Sequence, residues 1–232
     1  MILAFGAHPD DIEFGAGGVI AREVREGRAA HLVVCSRGEA ATHGTPAERE
    51  AEGRRAAAIL GAGFWLLSLG GDGHVGEPPG AAVALAEVIR RHRPRIVLAP
   101  TPEPNQHPDH ARLGRLVRDA ARLARYGGLA ELAAQPPHAI GALFFYAVTP
   151  EGEPASPPVL VDVSPPEVLA AWTQAMEAHA SQARTRDYVD LQLTRARLWG
   201  TRAGVASATP LWPSDPVVVT SLAALECGAR RF

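Results

Sequence analysis

The sequence predicts an α/β fold: a Rossmann-like, doubly wound, mostly parallel sheet with a C-terminal extension covering the site. Two observations predict it. Short apolar runs alternate with amphipathic stretches through the first 150 residues, as they do when helices bury parallel strands on both faces. The runs have strand length rather than helix length, and Gly- and Pro-rich segments punctuate them. A chain of 232 residues can close one sizeable core, so we read 1–232 as a single domain. Its core is 1–150 and its extension 151–232.

The elements follow in order. Ile2–Phe5 is the first strand, and Gly17–Arg28 reads as the helix after it. Ala30–Cys35 is the second strand, followed by a helix from Pro46 to Leu60. Phe64–Leu69 and Ala81–His92 form the third strand–helix unit, and Ile96–Ala99 and Asp109–Tyr126 the fourth. Ala142–Val148 is a fifth strand. Beyond Glu151–Pro158 lie a short strand at Val159–Val163 and helical segments at Pro166–His179 and Asp187–Trp199. The tail from Gly204 reads as irregular, apart from a strand at Val217–Val219. The long loops 70–80 and 100–108 are candidates for function, since structureless segments of that length in a compact domain usually serve a site.

Composition narrows the class. The charges nearly balance, 23 basic against 25 acidic residues, which gives no reason to expect nucleic acid or an anionic membrane as partner. No apolar run approaches the roughly 20 residues needed to span a bilayer. The first residues enter a strand directly, without the basic start of a signal peptide. Every basic residue other than histidine is Arg, which removes a lysine nucleophile or Schiff base. Cys35 and Cys227 stand alone, as suits a reducing cytoplasm.

The chemistry sits in two motifs. His8-Pro9-Asp10-Asp11 follows the first strand, and His107-Pro108-Asp109-His110 follows the fourth. In a sheet of order 3-2-1-4-5 those strands are neighbours, and ligands bind at their carboxyl ends, where the winding reverses. His8, Asp11 and His110 then form a nitrogen/oxygen set suited to one divalent ion, with zinc the natural occupant. Asp10 is left as general base for a water, and His107 to stabilise an oxyanion and protonate a leaving amine. Asp109 can orient His107 as a paired carboxylate. Each motif alone also reads as a capped turn; it is their pairing that points to a site.

Other residues carry less. Arg37 and Glu39 follow the second strand on the crevice side and are candidate substrate-binding residues; Glu39 could also imitate a ribose-binding acid. However, Gly6-x-His8 breaks the glycine fingerprint that a pyrophosphate requires. Arg49 reads by itself as a helix-surface charge. Asp72 and His74 read first as a solvated turn, with substrate contact as the alternative. His179 and Gln182 read as polar lining or helix surface.

With these residues the chain resembles the PIG-L/LmbE family of zinc-dependent N-deacetylases. The likeness rests on Ala7-His8-Pro9-Asp10-Asp11, Glu13, Gly15, Gly17-Gly18 and the second motif. It extends to Ser36-Arg37-Gly38-Glu39, Arg49-x-x-Glu52, His179-x-Ser181-Gln182, Arg197-x-x-Gly200 and Gly204-Val205. Within the family it is most similar to the bacillithiol-pathway enzymes that deacetylate GlcNAc-malate. The resemblance implies one zinc per chain on His8, Asp11 and His110, Asp10 as base and His107 as acid. It also implies sugar or aglycone binding at Arg49 and a trimeric or hexameric assembly. One departure is Ala208-Thr209, where the bacillithiol branch has Ala-Glu. It keeps a second substrate open, a chito-oligosaccharide or other sugar amide. A rival from another class, a non-catalytic nucleotide-binding module, lacks its glycine fingerprint.

Overall fold

The computed structural model of the protein describes residues 1–104, 107–183 and 187–225. Cys227 and part of the loop 100–108 lie outside the described residues. In chain order the elements are β1 (Ile2–Gly6), α1 (Asp11–Arg25), β2 (Ala30–Val34), α2 (Pro46–Leu60), β3 (Gly63–Leu66), α3 (Ala81–His92), β4 (Ile96–Pro100), α4 (Pro108–Leu123), β5 (Ala142–Tyr146), β6 (Val159–Asp162), α5 (Pro166–Glu177), α6 (Tyr188–Ala203) and β7 (Ala208–Pro213). The sheet order is β3-β2-β1-β4-β5-β7-β6, parallel from β3 to β5 and antiparallel at β7 and β6. This is the expected doubly wound α/β sheet.

Side chains of adjacent strand residues leave the sheet on opposite faces. Leu3, Phe5, Val33, Val97 and Phe145 pack with residues of α3 and α4. Ile2, Ala4, Leu32, Leu98 and Tyr146 pack with α1, α2 and α5. Both faces are therefore core, which is why the strands read as unbroken apolar runs rather than alternating ones. Each fully buried Leu, Ile or Phe contributes about 1.5–3 kcal/mol of hydrophobic stabilisation.

Two sequence expectations are corrected here. The helix after β1 begins at Asp11, not Gly17, so the first motif runs directly into it. Gly15, Gly17 and Gly18 lower its helix propensity and disguised its first two turns. Their purpose is close approach: a Cβ on Gly15 would lie 2.2 Å from the Tyr146 ring, and one on Gly17 2.6 Å from Trp172. The tail holds its strand at Ala208–Pro213, while Val217–Val219 is exposed and irregular. Pro210 and Pro213 concealed this strand, because proline lacks the ladder N–H. It is tolerated since β7 pairs with β6 through Ala208–Leu211 and with β5 only through Trp212–Pro213. Residues 208–211 thus face a partner on one side.

Helix α2 shows local sequence and tertiary demand agreeing. Thr45 and Glu48 form a reciprocal capping box, Pro46 occupies the first turn and Gly61 closes the helix in a left-handed conformation. Its buried positions, Arg49, Glu52, Gly53, Ala56, Ala57 and Leu60, follow helical spacing. Two ionisable residues are therefore carried on the inward stripe.

Gly15→Ala separates propensity from packing. Helix propensity alone favours Ala over Gly by about 0.5–1 kcal/mol. The contact with Tyr146 predicts the opposite sign, a loss of about 1–3 kcal/mol from overpacking. A denaturant midpoint at or above that of the parent protein would refute the close-approach reading.

Candidate active site

The pairing of β1 with β4 brings the two motifs together at the carboxyl ends of the strands. Nδ1 of His8 lies 3.3 Å from Nε2 of His110. That His110 nitrogen is 2.9 Å from Oδ1 of Asp11, and Nδ1 of His8 is 3.5 Å from Oδ2 of Asp11. Donors around a tetrahedral zinc with bonds of about 2.0–2.2 Å sit roughly 3.3 Å apart. The three residues therefore fit such an ion in donor type and in spacing. Backbone donors hold Asp11 in place, since its Oδ2 accepts the N–H groups of Ala7 and His8, both at 2.8 Å.

The opposite nitrogen of His8 is also engaged. Its Nε2 lies 3.0 Å from Oδ1 of Asp72 and 3.2 Å from Oδ2 of Asp109. A carboxylate on the far nitrogen is the usual support of a metal-binding histidine, fixing tautomer and orientation. Burial opposes charge on the His8 ring, but Asp11, Asp109 and Asp72 outweigh it and hold the imidazolium well above its usual range. The hydrogen bond to His8 in turn lowers Asp72. Burial alone would raise Asp109; His8 and the Gly73 N–H outweigh it and lower that carboxyl.

Asp109 thus does not serve the His107 ring through its carboxylate. That group spans His8, the Gly73 N–H at 2.7 Å and Arg112 at 3.0 Å. His107 is reached instead by the Asp109 backbone N–H, donated to Nδ1 at 3.3 Å as the cap of α4. With Nδ1 accepting, the neutral ring carries its proton on Nε2. Burial and the neighbouring His8 and His110 lower the His107 pKa.

Asp10 has φ 117°, a backbone conformation that non-glycine residues rarely adopt. Such strain persists where surrounding contacts over-determine it, and here Arg49 does so. The Arg49 guanidinium is buried and donates from Nη2 to the Pro9 carbonyl at 2.8 Å and to Oδ2 of Asp10 at 3.2 Å. From Nη1 it donates to the Gly38 carbonyl at 3.3 Å. Burial pushes the Asp10 carboxyl up to about 6, against the pull of Arg49 and with the repulsion of Asp11.

These residues line a cavity of about 240 Å³: His8, Asp10, Asp11, Arg49, Asp72, His107 and His110, closed by Phe14, Val148, Thr149, Gln182 and Tyr188. Neither Arg37 nor Glu39 lines it. Arg37 turns to Glu50 on α2, while Glu39 accepts the N–H groups of Arg37 and Asp72. Glu39 thus braces the loop that carries Asp72. That loop doubles back through Gly70, Gly71, Gly73 and Gly76, all at positive φ, and delivers Asp72 to His8. The solvated-turn reading of Asp72 is therefore overturned; the signal was its place in a long glycine-rich loop. His74 remains outside, exposed and paired with Glu77.

The extension reaches the cavity through a buried tether. Glu52 on α2 accepts the Ser181 N–H at 2.9 Å and its hydroxyl at 2.6 Å, and Gln182 donates to the His43 carbonyl. Beneath it His179 and Glu13, both buried, approach to 3.5 Å. Thr209 is elsewhere: it lines a small internal space with Arg195, Gln192 and Trp172. Its departure from the family pattern therefore bears on core packing, not on the described lining of the cavity.

Comparison with known proteins agrees with this geometry. A family model described as PIG-L, GlcNAc-PI de-N-acetylase, matches residues 3–121. A diacetylchitobiose deacetylase of Thermococcus kodakarensis is 30% identical over 193 residues, covering 78% of this chain and 69% of that protein. The conserved protein TT1542 of Thermus thermophilus superposes with a TM-score of 0.84 at 34% identity, covering 94% and 96% of the two chains. The 4-carboxy-2-hydroxymuconate hydratase GalB of Pseudomonas putida superposes with a TM-score of 0.78 at 24% identity, over 95% and 98%. A hydratase on the same scaffold means that the fold by itself does not decide the reaction.

The ligand set makes a direct prediction. Zinc at a hundredfold excess over its dissociation constant should stabilise the protein by about 2.7 kcal/mol, seen as a rise in melting temperature. His110→Ala should abolish that rise. A full rise in the variant would remove His110 from the ligand set.

Proposed function

The chain belongs to the PIG-L family, and we propose that within it this protein is a zinc-dependent hydrolase that removes the acetyl group from an N-acetylglucosamine conjugate. The observation that carries the reading is the arrangement around His8, Asp11 and His110. A half-buried carboxylate, Asp10, and an imidazole, His107, both outside the ligand set, line the same cavity.

Zinc on His8, Asp11 and His110 would supply Lewis acidity, which polarises an amide carbonyl and acidifies water. Asp10 takes a proton from the attacking water; a carboxyl near 6 is ionised at neutral pH yet basic enough to accept. Arg49 holds Asp10 in its strained conformation and so acts as a positioning residue. His107 donates from Nε2 to the developing oxyanion. As the C–N bond breaks, the proton that Asp10 took from the water passes to the amine nitrogen by way of the His107 Nε2–H, which is restored, so the carboxylate and the neutral ring are both regenerated. Acetate and the free amino sugar leave.

The aglycone follows from Arg49. A malate group carries carboxylates that need a cation. Arg49 lines the cavity, and its two terminal nitrogens already serve Asp10, Pro9 and Gly38. Asp72, with its carboxylate at the wall, suits a sugar hydroxyl. These contacts, with the likeness to a diacetylchitobiose deacetylase, favour a neutral chito-oligosaccharide over the GlcNAc-malate of the bacillithiol pathway. No helix among the described residues is long and apolar enough to cross a membrane. A trimeric or hexameric homo-oligomer is what the family resemblance adds, and a reducing cytoplasm is the compartment that the isolated Cys35 and Cys227 suit.

Acetate release should be measured on N,N′-diacetylchitobiose and GlcNAc-malate side by side, and the chitobiose should be the better substrate. Preference for GlcNAc-malate would restore Arg49 as an aglycone contact, and release from neither would sink the substrate class. Asp10→Asn should retain zinc by atomic absorption while turnover falls by about 10²–10⁴; unchanged turnover removes Asp10 as base. Arg49→Lys should lower kcat with little change in KM. A change confined to KM would make Arg49 a binding residue instead.

A further inference from the structure

We propose that the cavity between the C-terminal end of α4, the start of β5 and residues 213–218 is a second binding site, for a small phosphate monoester with an apolar body.

This cavity measures about 450 Å³ and shares no lining residue with the one that holds the ligand set. Its volume falls among small-molecule sites, which run from about 300 to 1,000 Å³. It lies at the far end of α4. His110 stands in the first turn of that helix, and Arg122 follows about 18 Å along it at 1.5 Å per residue.

Helical spacing builds one wall. Arg118, Ala121, Arg122 and Arg125 follow at i, i+3, i+4 and i+7, so α4 and its cap present them on one stripe. Topology builds the other. Strand β7 meets β5 only at Phe144 and Phe145, and the Ser214 N–H donates to the Leu143 carbonyl at 2.9 Å. The chain then leaves the sheet, and Asp215 to Val218 face the arginines.

The charges are unmatched. Exposed arginines on other helices pair with a carboxylate one turn away, as Arg54 does with Glu50 and Arg91 with Glu87. Among the described residues, Arg118, Arg122 and Arg125 have no ion-pair partner. The Nε of Arg118 is buried and has no acceptor. A helix C-terminus favours basic residues. That accounts for their sign but not for a buried N–H left unbonded.

Three arginines against Asp215 leave the lining with a formal excess of two positive charges. A phosphate monoester carries about 1.5–2 negative charges at pH 7, and the guanidinium fork matches its oxygens. A single carboxylate would neutralise only half of that excess. The chain as a whole carries a net charge of -2, so the positive charge is local to the cavity and not the broad field that steers a polyanion. The remaining lining is largely apolar, with Ile140, Leu143 and Phe144 on one side and the exposed Val217 and Val218 on the other. An apolar body attached to the phosphate covers these side chains.

The test titrates the full chain with 2-naphthyl phosphate by isothermal calorimetry at low salt, beside inorganic phosphate and 2-naphthol. The ester should bind at one per chain, about tenfold or more tighter than either of its halves. Replacing both Arg118→Gln and Arg122→Gln should weaken it about tenfold or more. Asp215→Asn removes the opposing charge and should tighten it about twofold. Asp215 is exposed, so its variant serves even if the double variant fails to fold. No binding of the ester overturns the proposal. So does inorganic phosphate bound as tightly as the ester, or an affinity indifferent to these substitutions, which would put the ester elsewhere on the chain.

Discussion

The side-by-side pairing of β1 and β4 is the constraint on which the molecule depends. Ile2–Gly6 and Ile96–Pro100 run parallel, and the chain beyond each strand carries a motif of the form His-Pro-Asp-Asp/His to the same crevice. Parallel strands need helical crossovers, so α1 and α4 both begin at the end of the sheet where β1 and β4 stop. The first turns of those helices are therefore the motifs themselves. Asp11 opens α1, and His107 caps α4. Four residues, 7–10, join β1 to α1 and seven, 101–107, join β4 to α4; the start of α4 sets His110 with an atom 3.3 Å from His8.

That economy concentrates charge. Asp10, Asp11, Asp72 and Asp109 crowd around His8 and His110 in a half-closed cavity, with Arg49 and Arg112 as nearby counter-charges. Buried ionisable groups cost stability unless each is paired, and a site poised for chemistry leaves some of that cost unrelieved. The strained Asp10 backbone is one instance, and the raised Asp10 carboxyl is another. Offsetting stability comes from the two apolar faces of the sheet. It also comes from close contacts such as Gly15 on Tyr146 and the Trp172 indole N–H donating to the Glu13 carbonyl at 2.7 Å.

The C-terminal third completes the cavity without holding the ligand set. It adds β7 and β6 beyond β5 and lays α5 against α1 and α2. The Glu52–Ser181 tether then fixes the segment that brings Gln182 to the cavity wall, ahead of Tyr188. Arg195 does the same from below, bonding the Ala147 carbonyl and Glu153 under the loop that presents Val148 and Thr149. The cavity wall is thus built from residues distant in sequence.

Strand runs, the α2 caps and the paired motifs were legible because they are local: apolar periodicity, a Thr-x-x-Glu box and four-residue clusters each encode themselves. Strand adjacency followed from winding rules, and with it the ligand set. What the sequence determined alone was therefore the core sheet and its two motifs. Tertiary structure decided the rest. Asp72 looked like a turn until positive-φ glycines carried it to His8. Arg49 looked like a surface charge, although its register with Gly53, Ala56 and Leu60 put it on the buried stripe. Arg37 and Glu39 looked poised for substrate and proved to brace loops. Strand β7 hid behind its prolines because only the partners of β7 reveal which of its edges goes unpaired. Each of these depends on which atoms meet across the chain, and one-dimensional spacing carries no information about the direction in which a loop folds back.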